Sequence, residues 1–194
     1  MNYIKFYLEK HEDFLFSTEG QVFLKEMATS DNTETVRGVA ACHQSTADLL
    51  GLIANRFVDS EENYKFEELE ALEVLVTVVD NENTDAETLE MVCTHVLKEI
   101  SNYAVCEDEY KVCLMTLQKI AAHHNTDEKI LRKLLNHMTI SFEEYVVLNE
   151  GISDELLIEI MEQTKSYDTK AAASGELLKR FKEFKKTQKH QEES

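Results

Sequence analysis

Seven histidines and four cysteines in 194 residues are enough to build a metal or nucleophile site, so their spacing is tested first. A zinc protease helix needs H-E-x-x-H, and none is present. A di-iron bundle needs Glu-x-x-His on two helices, and no histidine here has glutamate three residues before it. No C-x-x-C occurs, so a finger-type zinc site has no framework. Cys93, His95 and Glu99 come nearest to a cluster, but residues two apart on a helix point in different directions. Nucleotide chemistry lacks both G-x-G-x-x-G and a P-loop, and no G-x-S-x-G elbow is visible. The expectation is no catalytic residue, no metal, no cofactor and no enzyme. His123–His124 falls where a helix ends, so either ring can satisfy terminal carbonyls there. The other reading is a pH-sensitive surface pair.

Carboxylates are the residues present in excess. The formal charge is −18, and it is uneven. Residues 179–194 hold six Lys or Arg against three Glu, a net of +3; residues 1–178 hold 14 basic and 35 acidic side chains, a net of −21. Such a body repels nucleic acid and anionic membrane and favours a basic protein surface. The densest stretch is "DSEENYKFEELEALE", with Asp59, Glu61, Glu62, Glu67, Glu68, Glu70 and Glu73 against one lysine. It is the candidate acidic binding face, although charge runs are also ordinary solvated helix starts. The basic segment at the other extreme, "LLKRFKEFKKTQKHQEES", carries Leu177, Leu178, Phe181 and Phe184 as an apolar stripe. It is expected to cap the array, to fold back on the acidic body, and to fray after about Lys186. A membrane-surface or partner-binding role is the alternative for a basic amphipathic segment.

The elements that position these residues are helices. There is no proline and there are only five glycines, where average usage gives about ten and about fourteen. Apolar residues recur at helical spacing nearly everywhere. Leu69, Leu72, Leu75, Val76 and Val79 form one stripe; Leu89, Val92, Val96 and Ile100 another; Tyr110, Cys113, Leu117 and Ile120 a third. Cys42, Cys93, Cys106 and Cys113 fall inside such patterns and read as buried reduced thiols. The first twenty residues lack the apolar core of a secretory signal. The longest strongly apolar run, "VLVTVV", is far shorter than a membrane span. A soluble cytoplasmic protein is therefore expected.

One short motif recurs: "HQSTADLL", "NENTDAETL", "HHNTDEKIL" and "NEGISDELL". Hydroxyl residues before a helix accept from its first free N–H groups, and a following carboxylate complements the helix dipole. Thr18, Thr126 and Ser153 are read as such caps; Thr84 with Glu87 and Ser141 with Glu144 have capping-box spacing. Aligned on Thr46, Thr84, Thr126 and Ser153, the motifs are 38, 42 and 27 residues apart. The first two spacings match the period of two-helix repeats.

The stretch "SDNTETVRGVAACHQSTADLLGLIAN" resembles a unit of the bacterial leucine-rich repeat variant family, through Asp31, Val36, Arg37, Val39, Ala40, Thr46, Leu49, Leu50 and Ile53. The clear match covers about 26 residues. The family's usual proline in the second turn is missing, and so is the cysteine cluster that holds an iron–sulfur centre in its best-known members. That family is similar to HEAT and armadillo arrays, so the resemblance implies an interaction scaffold without chemistry. It also implies that Arg37 supports packing as a structural ion pair with an acidic turn, with Asp31 or Glu34 as partner.

The reading as a whole is all-α: a right-handed superhelical array of about ten to eleven helices, HEAT/armadillo-like. Residues 1–186 form the array and 187–194 a frayed polar tail. The expected function is non-catalytic protein–protein binding, with no direct contact to nucleic acid or membrane. The alternative is an acidic DNA mimic, of the kind phages encode, that blocks a nucleic-acid-binding protein. A HEAT-like DNA-repair enzyme would need a basic groove, which the charge opposes.

Overall fold

The structure, a computed structural model, describes residues 12–58, 67–105, 107–137 and 142–192. The described residues form eleven α-helices and no strand. They are α1 (Glu12–Leu15), α2 (Thr18–Ala28), α3 (Thr33–Ala40), α4 (Ala47–Val58), α5 (Glu68–Val79), α6 (Ala86–Glu99), α7 (Asp108–Ala122), α8 (Glu128–Leu135), α9 (Glu143–Val147), α10 (Asp154–Gln163) and α11 (Tyr167–Glu192). A 3-10 turn, Ile100–Asn102, extends α6.

Packing follows chain order. α3, α5, α7, α9 and α11 lie side by side in that sequence, and α2, α4 and α6 form a second row against them. Each helix thus meets mainly the next helix and the next but one. Local contacts of this kind follow from the sequence pattern, because each short helix has an apolar stripe that only immediate neighbours can cover. Central α5 shows the consequence. Ala71, Leu72, Val74, Leu75, Val78 and Val79 are all buried, because helices cover it on several sides. Of the stripe expected there, Leu69 and Val76 are only partly buried, and Val74 and Val78 are buried in their stead; the stripes expected on α6 and α7 are buried, with Tyr110 only partly so.

Helix starts differ in detail from expectation. Ser17, not Thr18, caps α2, accepting from Gly20 N at 3.0 Å. Asp85 and Asp127, not Thr84 and Thr126, cap α6 and α8, accepting at 2.8 Å from Thr88 N and 2.9 Å from Ile130 N. Ser153 caps α10 as expected, accepting from Leu156 N at 3.1 Å. The caps are therefore Thr46, Asp85, Asp127 and Ser153, spaced 39, 42 and 26 residues. Cys106 and Ser141 lie outside the described residues. α11 remains helical to Glu192, beyond the fraying point near Lys186.

Candidate interaction surface

The turns between the paired helices carry the most regular chemistry in the molecule. Ser45, Thr84 and Thr126 occupy equivalent positions. Each is buried, and each donates its hydroxyl to a carbonyl six residues back: Val39 (2.6 Å), Val78 and Ile120 respectively. A C-terminal carbonyl of the preceding helix is thereby satisfied, while the next residue caps the following helix. At Ile152 the fourth turn replaces that hydroxyl with a buried apolar side chain.

Asparagines then join one turn to the next. Asn81 Nδ2 donates to Ala40 O (2.7 Å) and Cys42 O (2.9 Å), while its Oδ1 accepts from Asn83 N at 3.0 Å. Asn149 does the same two turns on, donating to Ala121 O (3.0 Å) and His123 O (2.7 Å) and accepting from Gly151 N (2.8 Å). Between them, His123 occupies the equivalent place. Its Nδ1 accepts from Asn125 N at 3.1 Å, which leaves Nε2 as the donor to Asn81 O, also 3.1 Å away. A second row lies beside the first: Asn83 Nδ2 bonds His43 O (2.8 Å), and Asn125 Nδ2 bonds Thr84 O (2.9 Å). The ring of His123 stacks on His124 at 4.7 Å. His123 therefore serves the carbonyl of the preceding turn rather than the end of its own helix. Burial lowers its pKa from the ordinary histidine value, partly offset by the bond to Asn81.

The N-T-D triplet shared by the second and third turns, Asn83–Asp85 and Asn125–Asp127, reads in the sequence as a cap alone. The inter-turn role of Asn81, Asn83, Asn125 and Asn149 had no signal without the neighbouring turn in place.

The opposite edge of the molecule is acidic. α3, α5 and α7 run parallel: Thr33 Oγ1 donates to Glu70 Oε2 at 3.1 Å near their starts, and Lys119 pairs with Asp80 near their ends. Their first turns therefore fall side by side, bringing together Glu34, Glu68, Glu70, Asp108 and Glu109. Each carboxylate complements its own helix dipole, and their alignment makes a strip.

Of the expected acidic face, Asp59, Glu61 and Glu62 lie outside the described residues. Glu67, Glu68, Glu70 and Glu73 are placed on or just before α5, and three of the four are engaged within the molecule. Glu68 accepts from the Tyr103 hydroxyl, Glu70 from Thr33, and Glu73 pairs with Arg37 Nη1 at 2.6 Å. Glu67 is exposed and makes no side-chain capping bond. Arg37 forms an ion pair across to α5, with Glu73; Asp31 and Glu34, the turn residues expected beside it, are both exposed. The Tyr103 hydroxyl is held protonated well above the usual phenol range by burial and by its bond to Glu68.

No protein-family model, no curated protein and no solved structure matches the chain. Its own chemistry must therefore carry any reading.

Among the described residues no group of three or more His, Cys, Asp or Glu is arranged to hold a metal ion. Burial pushes the Cys93 thiol up to about 11 and the Cys113 thiol up to about 12. Both are protonated at neutral pH and are poor nucleophiles. Burial also lowers the pKa of His95. Among the described residues, no helix is long and apolar enough to cross a membrane.

Proposed function

We propose that this chain is a non-catalytic interaction scaffold, built of degenerate HEAT/armadillo-like helical repeats wound into a right-handed superhelix. Its partner is a protein with a basic surface, bound along the acidic edge where α3, α5 and α7 begin. The observation that carries this reading is the alignment of three neighbouring acidic helix starts on a body of net charge −21. Serial next-neighbour packing supports the repeat architecture. The pairing of Glu68, Glu70 and Glu73 with Tyr103, Thr33 and Arg37 holds part of that edge in place, while Glu67 stays open to a partner.

The test is affinity capture of a partner from native lysate at low and moderate salt, repeated with Glu67→Lys combined with Asp108→Lys. Capture should be lost or strongly weakened in the double variant, with helicity unchanged. Undiminished capture by the variant would sink this edge as the site. A captured DNA-binding protein that duplex DNA displaces would instead identify an acidic decoy, the second reading of the charge.

A further inference from the structure

Two exposed apolar patches sit in surroundings of opposite charge. The first is on α11. Its early turns pack on α9 and α10 through Thr169, Ala173 and part of Leu177. Beyond Leu177 the apolar stripe continues without cover: Leu178, Phe181 and Phe184 are 58%, 53% and 59% exposed. The expected fold-back onto the acidic body is seen only at Arg180, which donates to Asp154 Oδ1 at 2.9 Å and Ile152 O at 2.7 Å, while the phenylalanines stay in solvent. At helical spacing Lys182 and Lys185 flank this stripe, with Lys179 and Lys186 further round the same side. Lys185 Nζ lies 4.4 Å from the centre of the Phe181 ring.

The second patch is on α1 and α2. Phe16 and Val22 are 73% and 54% exposed, and the half-exposed Phe14 ring lies 6.2 Å from Phe23. Glu19, Val22 and Glu26 stand at i, i+3 and i+7, so they share the outer face of α2, and Asp13 is exposed on α1. Lys25 falls to one side of that face. α2 packs on α1, α3 and α4, whereas α11 packs on α9 and α10, so the patches belong to opposite ends of the packing series.

The α11 row is flanked by lysines, whereas the α2 row has Glu19 and Glu26 along one side and Lys25 on the other, so the complementary charge lies along the glutamate side. Exposed rows of large apolar side chains mark contact surfaces, and opposite rims select which rows meet. An anionic membrane would match only the basic row and would face the acidic charge of the body. We propose that the Leu178–Phe181–Phe184 face of α11 docks on the α1–α2 end of a second copy of this chain, where Phe14, Phe16 and Val22 are exposed. Lys182 and Lys185 then lie against Glu19 and Glu26. The contact is heterologous, so it either closes into a pair that exchanges two such contacts or propagates end to end.

The experiment is sedimentation velocity on the full chain, from micromolar to near-millimolar protein, at low and high salt. The mass should rise above the 22.4 kDa of one chain with concentration, and less so at high salt. Phe181→Glu with Phe184→Glu should weaken association on the order of tenfold or more. Lys182→Glu with Lys185→Glu, and separately Glu19→Lys with Glu26→Lys, should each weaken it as well. Mixing these two charge-reversed chains should restore it, a rescue that a misfolded variant cannot give. A mass that stays at one chain throughout overturns the proposal. So does association that ignores the α11 substitutions. A monomer that co-sediments with anionic phospholipid vesicles through the same phenylalanines assigns the patch to a membrane surface instead.

Discussion

At the scale of single residues, the turn asparagines concentrate the most consequence. Asn81 is buried and serves as donor to two carbonyls and acceptor for one N–H. Asp at this position keeps the shape and the acceptor but cannot donate. Ala40 O and Cys42 O would then lose their partner and face a carboxylate. Asn81→Asp is expected to cost about 2–3 kcal/mol, read as a lower urea midpoint with unchanged slope. A loss below about 0.5 kcal/mol would mean that the ladder decorates the turns without holding them. His123 makes a pH-dependent version of the same bond. Its folded pKa is lowered, chiefly by burial. The unfolded imidazole takes up its proton near 6.5, while the folded one resists. The stabilising contribution is full above that pH and is lost as pH falls through the folded value. Stability should therefore decline on mild acidification below about 6.5, measured by thermal unfolding across a pH series. His123→Asn, which matches Asn81 and Asn149 in the neighbouring turns, should flatten most of that slope. His95, which burial shifts the same way, contributes to the remainder, and at lower pH so do the carboxylates that partners hold below their ordinary values, such as Glu90 beside Lys129.

At the scale of elements, the helices follow from local chemistry and their joints follow from contact. α8 is eight residues long, too short to be stable alone in water. It is held by buried Ile130, Leu131 and Leu134 and by Arg132, which bonds Glu159 of α10 at 2.6 Å. The α1–α2 joint depends on Gly20. A Cβ there would stand 2.1 Å from Phe14 O and 2.6 Å from Leu15 Cα, both backbone atoms that cannot swing aside. Gly20→Ala would ordinarily favour a helix. Here it should destabilise by roughly 1–3 kcal/mol through overpacking, and the circular dichroism melt should move down. A melt that moves up would show that α1 does not pack on α2 in this way.

At the scale of the whole molecule, serial packing predicts graded stability. Helices near the middle are covered on several sides, while α1–α2 and the distal half of α11 have fewer neighbours. Amide hydrogen exchange should therefore be slowest in α5 and α7 and speed up toward Glu192. Uniform protection from α2 to α11 would contradict a structure stabilised unit by unit. The same geometry accounts for part of the acidic charge. Helices begin alternately at two edges, and carboxylates in their first turns complement the dipoles at both, with Asp48, Asp85, Asp127 and Asp154 at the turn edge answering the acidic strip opposite.

The sequence by itself determined the all-helical class, the positions of most helices and the burial of most of the main stripes, Leu69 and Val76 of α5 being only partly covered. These depend on periodicity and on proline and glycine scarcity, both local properties of the chain. Local spacing also placed a turn before each of α4, α6, α8 and α10, though it mistook Thr84 and Thr126 for caps. A hydroxyl before a helix can bond forward or backward, and only the end of the preceding helix shows which. Tertiary structure alone decided that Arg37 pairs with Glu73, that Asn81 reaches Ala40 and that His123 reaches Asn81. Those partners are 36 to 42 residues apart in the chain. It also decided that Phe181 and Phe184 face solvent. An apolar stripe records that a helix has a face to cover, but the covering is a property of what packs there.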